Sequence, residues 1–532
     1  MKNTFFHKVA ILPVLIAGMF LAVSCEKDVT ELDPFDRITE AAAFSTPERV
    51  ELSMVGVYDA AQSGFYAGGQ VRGYPFGAAN TSQGDMRGED MLNVAAFYAF
   101  TYDGTYSVAS ANNDFMWQTL YGVINKANIM IAGAQTAAAN GVISTAKAAE
   151  YEGEARFLRA LSHHELLIHF ARPYAHTGDA SHMGVPYRRL AVNTAASQVE
   201  AAAQGRNSVK ECYDFIIEDL NFAEANLPAT RTGVLKITRA VQAAAVALKT
   251  RIYLHQGNWA SVISEGTKLL GGSGYSLTAD PEGVFANNST NTESIFSIEN
   301  SQPDNPGVNG ALPVMYSITT MPVNGRGLVA ISPIMYNAPF WLESDLRRTQ
   351  LTRMAANGYF SNKYRKVTTQ DDFNPIIRLA EVVLNVAEAQ SRQSGLIASP
   401  EALALLNSVR NRAVTTPADQ FTILNFLDAK ALTAAILRER RIEFLGEARR
   451  WADIHRLAKD ADFSTGGVPA KVAFGNTTIA SWGYGLNYTG DTYTGTTSIA
   501  AIPYDNFRFV WPIPQSELNT NPVLAAQQNP GY

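Results

Sequence analysis

The sequence predicts a mainly α-helical protein in which tetratricopeptide-like pairs of helices pack against long, loop-rich regions, with few and short strands. Three observations predict this fold class. Apolar residues recur at helical spacing in long stretches, the intervening segments are rich in glycine and aromatic residues, and strand-like alternation is short and scattered. The 532 residues include no long low-complexity linker, so we expect one compact body with elaborate loops.

The helical stretches extend over most of the chain. They cover residues 47–62, 114–139, 144–170, 209–226, 238–270, 376–393, 400–412 and 429–458. Within residues 238–270, Gly257 and Asn258 interrupt the apolar pattern, and small residues such as Ala244 and Ala247 let two helices approach closely. This hairpin resembles a tetratricopeptide repeat, in which each helix pair buries its face on the next. Because no clean 34-residue period is visible, an isolated hairpin is the alternative.

The N-terminus has the pattern of an export signal that is removed at a cysteine. Lys2 and Lys8 precede an apolar run over residues 9–22, and the small residue Ser24 leads to Cys25. The run is shorter than the about 20 apolar residues that a transmembrane helix needs. We therefore predict a lipoprotein signal peptide over residues 1–24, lipidation of Cys25 and a tether over residues 25–36. A signal peptide with an incidental cysteine is the alternative.

Charge and cysteine content limit the possible partners. Removing residues 1–24 takes away two lysines and no acids, so the formal net charge goes from −6 to −8. An acidic chain without a basic patch argues against nucleic acid or an anionic membrane surface as partner. Membrane residence then requires the lipid on Cys25. The second cysteine, Cys212, is left without a partner and is predicted to be buried and inert.

Motifs for catalysis or metal binding are weak. His164 and His169 flank Glu165 in SHHELLIHF, but a zinc-protease helix spaces its two histidines four residues apart and these are five apart. A buried histidine pair is the preferred interpretation. One sequence also cannot show which two acids face each other across a sugar, as a glycosidase requires. We expect no catalytic residue, no metal and no cofactor.

The strongest charged motif is ILRERRIEFLGEARRWADIHRL, at residues 436–457. Its apolar stripe includes Phe444 and Trp451, and arginine and glutamate residues surround the stripe. The pattern predicts a helix whose aromatic residues are buried. We expect Arg440, Arg441 and Glu443 to pair within the protein and not to contact a ligand.

That motif is also part of a longer resemblance. The chain contains PFDRITEAAAFSTPERVELSMVGVYDAAQ at 34–62, EARFLRALSHHELLIHFARPY at 154–174, AAVALKTRIYLHQGNWASVI at 244–263, IIRLAEVVLNVAEAQSR at 376–392 and WPIPQSELNTNPVLAAQQNPGY at 511–532. In order and spacing these segments resemble the SusD/RagB family, the surface nutrient-binding lipoproteins of Bacteroidetes. The resemblance covers nearly all of the chain after the predicted signal peptide.

The resemblance implies one SusD-like body over residues 37–532, with an N-terminal region to about residue 230 and a C-terminal RagB/SusD region from about 231. It also implies a partner, because in this family the lipoprotein covers a SusC-like TonB-dependent transporter in the outer membrane and its helical-repeat side faces that barrel. Acidic residues after the lipidated cysteine accompany display on the outer surface in this group, and Glu26 and Asp28 fit that pattern.

The predicted function is a non-catalytic receptor for a glycan or oligosaccharide on the outer-membrane surface. A peptide receptor of a related uptake system is the alternative within the family. A surface glycoside hydrolase and a pure protein-interaction scaffold are alternatives from other classes.

Two aromatic loop regions, residues 64–105 and 301–340, are predicted to converge on one exposed face that carries the ligand site. A sugar ring needs flat side chains beside planar hydrogen-bonding groups. The predicted flat side chains are Tyr74, Tyr98, Tyr102, Tyr316 and Trp341, and the predicted polar ones are Arg72, Asn80, Asp85 and Arg87. Alternatively, the aromatic residues pin the loops to the helical body.

Overall fold

The computed structural model describes residues 39–65, 69, 71–318 and 325–532. The predicted signal peptide, Cys25 and the tether lie outside these ranges. Among the described residues, no helix has both the length and the apolar composition that crossing a membrane requires.

Helices dominate the described residues. Those of eight residues or more are α1 Pro47–Gln62, α2 Ala78–Met86, α3 Ala111–Ala139, α4 Thr145–Phe170, α5 Ala195–Ala202, α6 Val209–Asn226, α7 Gln242–Gln256, α8 Trp259–Leu270, α9 Leu379–Gln393, α10 Pro400–Arg410, α11 Ala429–Glu443 and α12 Arg449–Arg456. Shorter helices are Glu40–Ala43, Ala99–Tyr102, Leu235–Thr238, Gly283–Ala286, Leu312–Tyr316, Pro333–Tyr336, Leu346–Gln350, Gln515–Thr520 and Pro522–Ala525.

Polar side chains fix where several long helices begin. The Thr46 hydroxyl accepts a hydrogen bond from the Arg49 backbone N–H, and Pro47 occupies the first helical position, where no N–H is needed. Ser208 and Glu211 form a capping box at the start of α6. These signals are local, which is why the predicted bounds of α1 and α6 agree with the structure.

The long helices form a chain of neighbours. Helix α3 packs on α1 and α4, and α4 then packs on α6, α6 on α7, α7 on α8, α8 on α9, and α9 on both α10 and α11. At Gly266 of α8, an added Cβ would lie 2.2 Å from Cγ2 of Val386 in α9, so only glycine allows this approach. The predicted stack of helix pairs is confirmed, and it forms the helical half of the molecule.

Strands are short, as predicted. They are β1 Met91–Asn93, β2 Ser294–Ile298, β3 Val329–Ile331, β4 Thr352–Ala355, β5 Gly358–Ser361, β6 Asn374–Arg378, β7 Gly467–Val468, β8 Tyr488–Thr489, β9 Thr492–Tyr493 and β10 Ile502–Pro503. A four-stranded antiparallel sheet has the order β1-β3-β5-β4. This sheet lies in a second hydrophobic core, which is built mainly from described residues of 78–102, 312–364 and 442–482. We call this part of the molecule the loop half.

The charged motif at 436–457 is buried, as predicted. Trp451 is fully buried and Phe444 nearly so. Arg440 pairs with Asp453 at 3.0 Å and Arg441 with Glu89 at 3.0 Å, while Glu443 contacts three arginines, Arg347, Arg378 and Arg412. This network joins α11 and α12 to both halves of the molecule.

The prediction of one continuous helix over residues 429–458 is wrong. Helix α11 ends at Glu443, and α12 begins at Arg449. Between them Gly446 has φ +77° and Ala448 has φ +61°, both in the left-handed region. The turn lets the Glu447 carboxylate pair with Arg378 at 2.9 Å and the Ala448 N–H donate to Asp85 at 2.9 Å.

Candidate functional site

The two predicted loop regions meet in the loop half. Strand β1 of the first region pairs antiparallel with β3, which lies within the second region. The Tyr316 hydroxyl donates to the Asp85 carboxylate at 2.7 Å, and the Ala78 N–H donates to the Gly310 carbonyl at 3.1 Å. The two regions therefore meet inside the loop half, and their convergence on one exposed ligand face stays a prediction.

The predicted exposure of the five aromatic side chains is wrong. Tyr74, Tyr98, Tyr102, Tyr316 and Trp341 are all buried, at 3% exposure or less. Except for Tyr74, which belongs to the core of the helical half, they form part of the loop-half core. Loops of this length must bury apolar side chains to hold their shape, and these five do so. They match the alternative in which aromatic residues pin the loops.

Three of the predicted polar residues are also buried, and their polar groups are used inside the protein. Asn80 donates to Glu165 at 3.1 Å. Burial raises the pKa of the Asp85 carboxyl to about 7, although hydrogen bonds from Tyr316 and Ala448 oppose the rise. The Arg87 guanidinium lies 3.5 Å from the centre of the Trp451 ring, and burial lowers its pKa to about 10. These residues hold segments together and do not face a ligand.

Arg72, the fourth of the predicted polar ligand residues, is half-exposed. Its guanidinium carbon lies 5.4 Å from the centre of the Phe97 ring, which is itself half-buried. An arginine beside an aromatic ring is the arrangement expected at a sugar site. Ligand contact by Arg72 stays a prediction.

A surface groove in the loop half has the chemistry that the sequence prediction sought in other residues. It encloses about 250 Å³ between α11 and the loop that follows Pro339. We call it the loop groove. Its lining residues are Pro339, Phe340, Leu342, Arg410, Phe421, Ala435, Arg438, Glu439, Ile442 and Asp491.

Aromatic and planar polar groups alternate in the loop groove. The Arg438 guanidinium pairs with the Asp491 carboxylate at 2.7 Å, and both side chains are exposed. The guanidinium carbon of Arg438 lies 6.0 Å from the centre of the Phe340 ring. Deeper in the groove, Arg410 stacks 4.3 Å from the Phe421 ring and pairs with Glu439 at 3.1 Å. Charges of both signs are balanced here.

Sequence reasoning missed these groove residues. The sequence predicts Trp341 as a ligand residue, but the half-buried ring of its neighbour Phe340 lines the groove. A loop lacks the periodicity that separates buried from exposed positions. Asp491 belongs to the hairpin of β8 and β9, within a segment rich in tyrosine, glycine and threonine. That composition was the available signal for a third aromatic loop region.

The histidines of SHHELLIHF are buried, as expected. The imidazole of His169 lies 3.4 Å from the Glu165 carboxylate and is stacked on the Trp511 ring, with centroids 4.5 Å apart. No cluster of metal-ligating side chains occurs in the described ranges. Cys212 is buried too, and burial raises the pKa of its thiol to about 12, which confirms the prediction of an inert cysteine.

Two models of known protein families match the chain. A model of the SusD family matches residues 346–532, and a model described as "Starch-binding associating with outer membrane" matches residues 35–254. SusD-like protein P25 of Formosa agariphila is 24% identical, with 98% of each chain aligned.

Solved structures share the fold. A SusD superfamily protein from Bacteroides fragilis has 26% identity and a TM-score of 0.73, covering 90% of this chain and 99% of that one. Surface glycan-binding protein A from Bacteroides uniformis has 19% identity and a TM-score of 0.68, covering 91% and 99%. The motifs, the stacked helix pairs and both family models agree, and the chain belongs to the SusD/RagB family.

Proposed function

We propose that this protein is a non-catalytic, surface-exposed lipoprotein that binds an oligosaccharide and delivers it to a TonB-dependent transporter of the outer membrane. The observation that carries the ligand class is the loop groove, where Phe340 lies beside the Arg438–Asp491 ion pair and Phe421 lies beside Arg410. A sugar ring presents apolar C–H groups on one face and hydroxyls at its edge, so it matches aromatic rings flanked by guanidinium and carboxylate groups. The starch-binding family model and the glycan-binding structural relative support the same ligand class.

The carboxylates of the loop groove favour binding over hydrolysis. A glycosidase needs one carboxyl as a proton donor and a second as nucleophile or base. Glu439 accepts from Arg410 and lies 2.7 Å from Arg347, while Asp491 is paired with Arg438. Both carboxylates are therefore occupied by guanidinium partners, and this groove does not present two free carboxyl groups to a sugar.

The loop groove can be tested by removing the Phe340 ring and the exposed cation Arg438. Phe340→Ala and Arg438→Ala should each weaken binding of an oligosaccharide about tenfold, since a stacking contact contributes about 1–3 kcal/mol by analogy with base stacking. Isothermal titration calorimetry measures this, with the melting temperature as a check of folding. Phe100→Ala is the matched control, because Phe100 is an exposed ring outside the groove.

The control also decides between two surfaces. Phe100 lies three residues from Phe97, the ring beside Arg72. Loss of binding in Phe100→Ala and Arg72→Ala, with wild-type affinity in Phe340→Ala, would contradict the loop groove and place the ligand at Arg72.

A peptide ligand is the second candidate, because β4 is an edge strand. It is the outermost strand of the four-stranded sheet, and its Met354 is 64% exposed. An extended peptide can pair with such an edge through main-chain hydrogen bonds. Binding of a peptide that is lost on Met354→Pro, which removes one backbone N–H donor, would favour this function over the glycan receptor.

Membrane attachment through Cys25 gives a separate prediction. Cys25→Ala should yield a folded protein that is absent from the outer-membrane fraction, because lipid is the only attachment that the sequence indicates. Cys212→Ala is the matched control and should stay in that fraction, since its thiol is buried and donates to the Val185 carbonyl. Cell fractionation with immunoblotting measures both. Retention of Cys25→Ala in the outer membrane of cells lacking the transporter would reveal another anchor.

A further inference from the structure

A second cavity lies away from the loop groove. It encloses about 600 Å³ where the chain that leaves α4 meets the segment that ends at Pro530. We call it the C-terminal pocket. Its floor includes the rings and apolar groups of Phe507 and Val510, and Met183 stands at its rim with half its surface exposed. This volume is in the range of sites that hold small ligands.

The C-terminal pocket contains two guanidinium groups that are neutralised by no carboxylate among the described residues. Arg206 donates to the backbone carbonyls of Gly184 at 2.7 Å, Gln527 at 2.9 Å, Met183 at 3.2 Å and Phe170 at 3.5 Å, and to the side-chain carbonyl of Asn529 at 2.9 Å. It therefore offers its charge to the pocket, and not a free N–H group. Arg172 donates to the carbonyls of Tyr504 and Asn506. Burial lowers the pKa of Arg206 to about 10, so it still carries its charge at neutral pH. Elsewhere in the fold most buried arginines face an acid, as Arg378 faces Glu293 at 2.6 Å.

Two imidazole side chains, His176 and His182, also line the C-terminal pocket. The His176 and His182 rings are 4.8 Å apart. His182 uses both nitrogens, toward the Thr177 hydroxyl at 2.9 Å and the Arg172 carbonyl at 3.2 Å. Nδ1 of His176 lies 2.7 Å from the Tyr504 hydroxyl, and within the described part of the chain no hydrogen bond occupies its Nε2. This nitrogen is available to a ligand.

We propose that the C-terminal pocket is a second binding site, separate from the loop groove, that takes a small organic carboxylate with an apolar face. The carboxylate would lie toward Arg172, Arg206 and His176, and the apolar face on Phe507 and Val510. The neighbours of this positive charge are neutral carbonyl groups and aromatic rings, and no carboxylate of the described residues pairs with it. Such a charge selects an anion, and the apolar floor selects an organic anion over an inorganic one. Asp505, the acid at the rim, is exposed and leaves the floor positive. That the carboxylate is an acidic sugar rests on the proposed function.

Proton uptake should accompany binding. Burial, the neighbouring His182 and the charges of Arg172 and Lys459 lower the pKa of His176, while Asp505 alone raises it. Burial and Arg206 lower the pKa of His182, and its hydrogen bond to the Arg172 carbonyl opposes this. A bound anion favours the protonated imidazole, so affinity should rise as the pH falls from 7.5 to 6.

The test compares D-glucuronate with D-glucose, which differ only in the carboxylate. Calorimetry on the soluble protein should show glucuronate binding at least about tenfold more tightly, and more tightly at pH 6 than at pH 7.5. N-Acetylphenylalanine, a carboxylate with a ring and no hydroxyls, separates a peptide-like source from an acidic sugar. Equal affinity for glucuronate and glucose would overturn the proposal.

Two variants locate the site. Met183→Trp should fill the pocket from its exposed rim and abolish glucuronate binding, and His176→Ala should remove the pH dependence. Phe340→Ala in the loop groove is the matched control and should leave glucuronate binding unchanged. Unchanged glucuronate binding in both pocket variants would overturn the proposal. Loss of oligosaccharide binding in Phe340→Ala does not affect it, so failure of this site and failure of the proposed function are distinguishable.

Discussion

Acidification from pH 7 to pH 5 should lower the free energy of unfolding by several kcal/mol, and the protein should unfold between about pH 5 and pH 4. Histidines in the core cause this loss. Burial lowers the pKa of His163, His164 and His455 to about 3 and that of His169 to about 4. Burial also lowers the pKa of His255.

The direction follows from proton binding in the two states. An unfolded histidine binds a proton below about pH 6.5, whereas these buried rings stay neutral until about pH 3 to 4. Between these values the unfolded state binds more protons, so stability falls as the pH falls. Each histidine contributes at most about 1.4 kcal/mol per pH unit. Asp85, whose pKa is raised to about 7, takes up its proton at a higher pH in the folded state than in the unfolded state. Its contribution to the free energy of unfolding therefore opposes that of about one histidine.

Urea denaturation at pH 7, 6 and 5 measures this slope. His164→Leu should reduce this slope by about the contribution of one histidine, because the His164 ring is buried beside His255, with ring centroids 4.7 Å apart. His176→Gln is the comparison variant and should reduce the slope less than His164→Leu, since His176 is exposed whereas His164 is fully buried. The pKa values of the buried carboxyls of Glu165 and Glu381 are about 2. The stability that these two carboxylates contribute is therefore lost only below the range from pH 7 to pH 5. A free energy of unfolding that is constant from pH 7 to pH 5 would contradict the assignment.

Trp451→Ala should cost about 3–5 kcal/mol of stability, the usual range for emptying a large aromatic site. The indole is fully buried and donates from Nε1 to the Ile168 carbonyl at 3.0 Å. The Arg87 guanidinium also lies over this ring, at 3.5 Å from its centre. The substitution therefore opens a cavity, leaves a carbonyl unpaired and removes a cation–π contact.

Trp259→Ala is the matched control, because Trp259 is only half-buried at the start of α8. It should cost clearly less than Trp451→Ala. Chemical denaturation of both variants beside the wild type measures the difference. An unchanged midpoint for Trp451→Ala would contradict the role of this segment as core.

The helical half could be predicted from the sequence because its signals are local and periodic. Thr46 and Pro47 mark the start of α1, and Gly257 with Asn258 marks the turn between α7 and α8. The break after Glu443 was missed because Phe444 and Leu445 continue the apolar stripe, although Gly446 was a visible helix-stop signal.

The candidate site was harder to predict because burial in loops depends on distant contacts. Tyr316 is buried where its hydroxyl donates a hydrogen bond to Asp85, which lies 231 residues away in the sequence. No residue near Tyr316 in the chain indicates that partner. The half-buried ring of Phe340 likewise comes to lie beside the Arg438–Asp491 ion pair only when three separate segments meet. Of the residues that line the loop groove, the two predicted loop regions contribute Pro339 and Phe340. Aromatic content therefore did not identify the residues that face solvent.

The central claim is that the protein binds a glycan and does not cut it. The most direct measurement incubates the folded soluble Cys25→Ala protein with an oligosaccharide selected on a glycan array, recording affinity by calorimetry and reducing ends in the same sample. We expect saturable binding that Phe340→Ala weakens, with no new reducing ends. New reducing ends produced by the wild-type sequence, or a folded protein that retains peptides but no glycan, would contradict the account.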